Sequence, residues 1–134
     1  MAGGEHSRQP RCWCRVDAGG FEVQARIERV QEAAVLLRLR EGRAHGYQLA
    51  DEVGELLGAG RVDLGNLYRL LRGLEADGMV SSSWRQDLPG PLKRSYELSA
   101  DGSALLAAWA GSLRDNQRKV ARFLARYDGD GGTP

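Results

Sequence analysis

Apolar residues recur at helical spacing along most of the chain and give way to short alternating runs only after residue 78. Val23, Ile27, Val30, Ala34 and Leu37, with Leu36 beside them, step by three or four residues. That spacing predicts a first helix over about residues 22–40, stopped by Gly42. Tyr47, Leu49, Ala50, Val53, Leu56 and Leu57 predict a short second helix, ended by Gly58 and Gly60. Asp63 is placed to cap a third helix. Its inner face is Leu64, Leu67, Leu70, Leu71 and Leu74, and Gly78 closes it. Residues 79–85 and 93–98 read as strands, with Pro89, Gly90 and Pro91 in the turn or loop between them. Ser99 then caps a long last helix over about residues 100–127.

The expected fold is therefore mainly α with a small β-hairpin: a winged helix-turn-helix followed by a long C-terminal dimerisation helix. The chain divides into a flexible leader (1–20), the winged helix-turn-helix (21–98), the dimerisation helix (99–128) and a disordered tail (129–134). Composition agrees with a folded chain, since 42% of residues are hydrophobic. The longest apolar run, Ala33 to Leu37, is far short of a membrane span, and the N-terminus lacks a secretory apolar stretch. A cytoplasmic protein without a membrane partner is expected.

In a helix-turn-helix the second helix of the pair enters the major groove of double-stranded DNA. Here that is the third helix, with Asp63, Gly65, Asn66, Tyr68, Arg69, Arg72 and Gly73 facing outward. Asn66 can read adenine through both amide atoms, and Arg69 can read guanine or grip a phosphate. Tyr68 and Arg72 suit phosphate or sugar, and Arg61 can add a backbone contact. Lys93 and Arg94, at the start of the second strand, can follow a phosphate backbone or solubilise an edge hairpin. The overall charge of +1 is nearly balanced. Glu75 and Asp77 fall at the far end of the third helix, so its front is mildly basic.

A last helix of about 27 residues would run about 40 Å, beyond what the small domain can cover. Trp109, Leu113, Val120, Phe123, Leu124 and Tyr127 share one side, with Leu105 adjoining. This stripe calls for a partner, most simply the same helix of a second copy. Trp109 can pack in that interface. Between Ser103 and Tyr127 five basic residues face one acid, a net +4. Arg118, Lys119, Arg122 and Arg126 form either a solvated face or a grip on flanking phosphates.

Cys12 and Cys14 stand outside every core pattern. Disulfides between i and i+2 are strained, so the pair reads as incidental thiols, a redox element or half of a tetrahedral thiolate site. A soft metal or an iron–sulfur cluster suits such ligands. Arg11 and Arg15 would favour the thiolate.

Three segments together resemble the PadR-type transcriptional regulators. They are His45-Gly46-Tyr47-Gln48-Leu49, the run from Leu64 to Val80, and Lys93 to Gly102. The likeness extends over about residues 24–127. It implies a dimeric repressor that releases DNA when a small-molecule or metal effector binds, and it suggests Trp109 as a lining residue of an effector pocket between subunits. It also suggests that Tyr47 donates to a phosphate, whereas the residues alone favour Tyr47 in the core and His45 as a helix cap. Two positions depart from the family pattern. Asn66 stands where relatives often have threonine, and Arg69 stands where they often have proline. Two competing readings accompany this one: a metal- or redox-sensing regulator acting through Cys12 and Cys14, and a winged-helix protein-interaction module that does not read DNA. An enzyme is not expected, because His6 and His45 are the only imidazoles and no nucleophile–base spacing is present.

Overall fold

The computed structural model describes residues 15–18, 21–85 and 93–129. Strands β1 (Arg15–Ala18) and β2 (Phe21–Gln24) form an antiparallel pair, Arg15 opposite Gln24. Helix α1 (Val30–Arg40) follows, then the two-residue strand β3 (Ala44–His45), α2 (Gly46–Leu56) and α3 (Leu64–Ala76). Strands β4 (Val80–Arg85) and β5 (Lys93–Leu98) make the wing, and α4 (Ala100–Gly129) completes the described chain. The second sheet is antiparallel in the order β3-β5-β4. Helices two and three, the wing and the last helix thus fall within a few residues of their expected places, on a winged helix-turn-helix with a long C-terminal helix.

The first helix is where the expectation fails. Residues 21–24 are strand, and α1 begins only at Val30. The interruption is at Arg29, whose backbone is left-handed (φ 60) and cannot continue a right-handed helix. Phe21-Glu22-Val23-Gln24 alternates apolar and polar, so four residues fitted either period. Val23 and Ile27 are exposed, and the buried side of α1 is Glu32 to Leu36 with Leu39. Strand β1 also lies within the segment expected to be a leader. Residues 1–14, with Cys12 and Cys14, fall outside the described residues, as do the 86–92 loop and the tail from 130.

The core sits where α1, α2, α3 and the sheet meet. Val35, Leu36, Leu49, Val53, Leu67 and Leu71 are fully buried there. Full burial of such a side chain contributes roughly 1.5–3 kcal/mol, so these six positions dominate the domain's cohesion. The α2–α3 turn is held by the Val62 amide donating to the Ala50 carbonyl (3.1 Å). Gly54 lets that turn close, because a Cβ there would stand 2.2 Å from the Gly60 carbonyl oxygen. Ser99 caps α4 as expected, accepting from the Gly102 amide (2.9 Å), while its hydroxyl reaches the Gly78 and Met79 carbonyls. Helix α4 is fastened to α1 by Trp109, whose indole N–H donates to the buried carboxylate of Glu32 (2.9 Å). Among the described residues no helix is long and apolar enough to cross a membrane.

Candidate nucleic-acid interface

Helix α3 begins as its sequence requires: the Asp63 carboxylate accepts from the Asn66 amide (3.0 Å), holding the first turn at the surface. Leu67, Leu71 and Leu74 point into the core. The opposite edge leaves Asn66, Arg69 and Arg72 exposed. Arg69 donates to the Asn66 side-chain oxygen (2.6 Å), so the two are buttressed as a pair and the Asn66 NH2 keeps both donors.

Tyr68 does not share that outer edge. It is half-buried and lies across the N-terminus of α2, where a Cβ on Gly46 would stand 2.1 Å from its hydroxyl oxygen. Glycine at 46 therefore leaves room for the Tyr68 ring against the start of α2. Next to it, His45 caps α2 through Nδ1, which accepts from the Gln48 amide (3.4 Å). Tyr47, read from the residues as core, is 56% exposed. Its ring carries the Arg61 guanidinium at 5.4 Å, and Arg61 also pairs with Asp51 (2.9 Å). Tyr47 thus turns outward from the first turn of α2, while Tyr68 is the ring that lies against Gly46.

On the wing, Arg94 lies opposite Trp84 in the β4–β5 register, with its guanidinium 5.3 Å from the indole centroid. Its Nε donates to the Ser82 hydroxyl (3.0 Å), which donates to Glu75 (2.7 Å). Glu75 therefore does not stand apart from the site; it ties the end of α3 to the wing. Between α3, the start of α2 and the wing opens a cleft of about 570 Å³. Tyr47, Tyr68, Trp84 and Tyr96 supply its aromatic surface, and Arg72, Lys93 and Arg94 its cations. Burial pushes the Tyr96 phenol above its usual range, partly offset by Arg94, so it stays protonated and able to donate at neutral pH.

The structure brings Tyr47, Tyr68, Arg72, Lys93 and Arg94 to one cleft and puts Asn66, Arg69 and Arg61 on exposed surface. Trp84 and Tyr96 were not singled out in the sequence. The only signal was register: an aromatic directly across from Arg94, and a tyrosine two residues beyond it on the same face. The candidate interface residues of α4 divide into two groups. Leu105 and Trp109 are half-buried against their own domain and Leu113 is half-buried, while Val120, Phe123, Leu124 and Tyr127 are 48–79% exposed. Among the described residues no group of three or more His, Cys, Asp or Glu could hold a metal ion.

Residues 35–108 match the transcriptional regulator PadR-like family. No curated protein matches the chain. Among solved structures, a PadR family transcription regulator from Clostridium difficile R20291 is similar in fold at 20% identity (TM-score 0.64), covering 70% of this chain and 97% of its own. A PadR-like transcription factor from Bacteroides fragilis is similar at 24% identity (TM-score 0.60), covering 70% and 89%. Bacillus subtilis PadR in complex with operator DNA is similar at 26% identity (TM-score 0.54), covering 61% and 47%.

Proposed function

The chain belongs to the PadR-like family of transcriptional regulators, and from that premise we propose that it is a homodimeric repressor that binds a specific operator duplex and lets go when an effector binds. The observation that carries this reading is the exposed Asn66–Arg69–Arg72 edge of a capped helix, set beside the cationic rim of the wing. In this arrangement Asn66 and Arg69 read base edges in the major groove. Arg72, Lys93 and Arg94 hold phosphates, with Tyr47, Tyr68 and Arg61 on the flanking backbone. The similar Bacillus subtilis PadR, solved in complex with operator DNA, supports reading this chain as a DNA binder.

Helix α4 supports the dimer. At 30 residues it spans about 45 Å, and its last turns carry Phe123 and Tyr127 into solvent. A second copy covers them and presents two α3 helices to half-sites about one helical turn apart.

The test is selection of a preferred duplex from random sequence, followed by titration of the wild type, Asn66→Ala and Arg69→Ala. Each lost base contact should cost about 1–3 kcal/mol, roughly tenfold to a hundredfold in preference over random duplex. Preference that survives both substitutions overturns the recognition assignment. Affinity for duplex should also fall steeply with salt; a salt-insensitive partner would point instead to protein docking.

A further inference from the structure

The cleft between α3 and the wing has more than a phosphate grip requires. Two cationic side chains on a flat rim would hold a phosphate. Here a concave space of about 570 Å³ is walled by an indole and phenol rings, in the size range of small-molecule sites, roughly 300–1,000 Å³. Trp84 is 58% exposed although Arg94 lies across its ring, so an indole–guanidinium platform faces the solvent. Tyr96 is only 4% exposed and lines the cleft, yet its hydroxyl has no hydrogen-bond partner among the described residues. A ligand oxygen entering the cleft can accept from that hydroxyl.

Charge narrows the ligand. Arg72, Lys93 and Arg94 against Glu75 leave the lining at +2. A phosphate monoester carries about −1.5 to −2 at neutral pH. Stacking surfaces of indole and arginine suit a heteroaromatic base. We propose that this cleft binds a nucleoside monophosphate, with its base on the Trp84–Arg94 platform, its phosphate between Arg72 and Lys93, and the Tyr96 hydroxyl donating to a ligand oxygen. Because the same cations serve the DNA backbone in the function proposed above, the nucleotide and the duplex exclude one another. The inference rests on that reading for this consequence alone, since binding in the cleft does not require it.

Isothermal titration of the full chain at low salt tests it, with adenosine 5′-monophosphate, adenosine and inorganic phosphate as separate probes. The monophosphate should bind one per chain with a Kd of about 1 mM or tighter. Adenosine and phosphate should each bind about tenfold or more weakly, because each keeps only one of the two interactions. Trp84→Ala and Tyr96→Phe should weaken the monophosphate about fivefold to tenfold, with circular-dichroism melting unchanged for the conservative Tyr96→Phe. Added monophosphate should displace the duplex competitively. Absence of saturable binding up to about 10 mM overturns the proposal. So does phosphate binding as tightly as the monophosphate, or affinity indifferent to both substitutions. Duplex binding without nucleotide binding sinks this inference and leaves the DNA reading intact. Nucleotide binding by a chain that binds no duplex of any sequence does the reverse.

Discussion

The two halves of α4 have similar stretches of apolar sequence and opposite surroundings. Toward the N-terminal end, Leu106 is buried, Leu105 and Trp109 pack on the core, and the Trp109 indole is fixed to Glu32 on α1. Toward the other end, Phe123 and Tyr127 are 69% and 79% exposed, on helix that continues past the domain. Periodicity alone makes one continuous stripe of Leu105 to Tyr127. The contacts separate a half that belongs to the domain's own core from a half that has nothing in its own described chain to lie against. An apolar side chain contributes its burial energy only where a neighbour excludes water. The distal half is stabilising only in an assembly, and the two halves should answer differently to protein concentration.

The largest effect should come from the core half. Leu106→Ala should destabilise by about 2–5 kcal/mol, as deletion of a buried leucine does. The loss, read from denaturant midpoints at constant slope, should be the same at every protein concentration. A loss that grows on dilution would mean that Leu106 belongs to the subunit interface instead.

The distal half should give the converse. Phe123→Glu with Leu124→Glu should turn the proposed dimer into monomers by sedimentation velocity, while far-ultraviolet circular dichroism keeps the domain's signal. The apparent stability it removes should vanish on dilution, because association stabilises the folded state by mass action. A double variant that stays dimeric would break the division drawn here. Weaker binding to a two-half-site operator, with binding to a single half-site unchanged, should accompany the loss of the dimer.

How much of this was legible in the sequence depends on how many residues each feature spans. Helix α3 could be read because cap, inner leucines and closing glycine all agreed over more than ten residues. The wing could be read because its strands flank a proline-rich segment. Strand β3 could not: two residues carry no period, and Ala44–His45 is a strand only because β5 lies alongside. The start of α1 was misplaced because Val23 and Ile27 match a helical period by coincidence, and a left-handed arginine is not encoded by any pattern of polarity. In the candidate site, Asn66, Arg69 and Arg72 follow from helical facing alone. The inward turn of Tyr68 against Gly46, the exposure of Tyr47 and the cleft itself are tertiary relations that spacing does not express.

A smaller effect should come from the bond that joins the core half to α1. Trp109→Phe keeps an aromatic ring and removes the indole N–H, leaving Glu32 with Arg29 (2.5 Å) as its partner. Arg29 is itself largely exposed. Loss of a hydrogen bond to a buried carboxylate costs about 1.5–3 kcal/mol, and the surviving pair with Arg29 should hold the loss to the lower end. Trp109→Phe combined with Glu32→Met should cost less than the sum of the two single changes, since each removes the same indole–carboxylate bond. Strict additivity in that cycle would show that the indole contributes through packing alone, and that the fastening of α4 to α1 rests on Leu105 and Leu106.

The smallest effect is predicted for the charged surface of the distal half. Arg118 and Lys119 both reach Asp115 at 3.4 Å, all three largely exposed. Exposed pairs of this kind contribute about 0.2–0.5 kcal/mol and are screened by salt. Asp115→Asn should therefore leave the unfolding midpoint almost unchanged, and what change there is should disappear at high ionic strength. The same substitution frees two cations on the helix that projects furthest from the domain. If that helix also touches phosphates flanking the operator, Asp115→Asn should tighten duplex binding at low salt and steepen its salt dependence by about one counterion or less. Identical salt slopes for the wild type and the variant would confine the distal half to dimer formation, with DNA met by α3 and the wing alone.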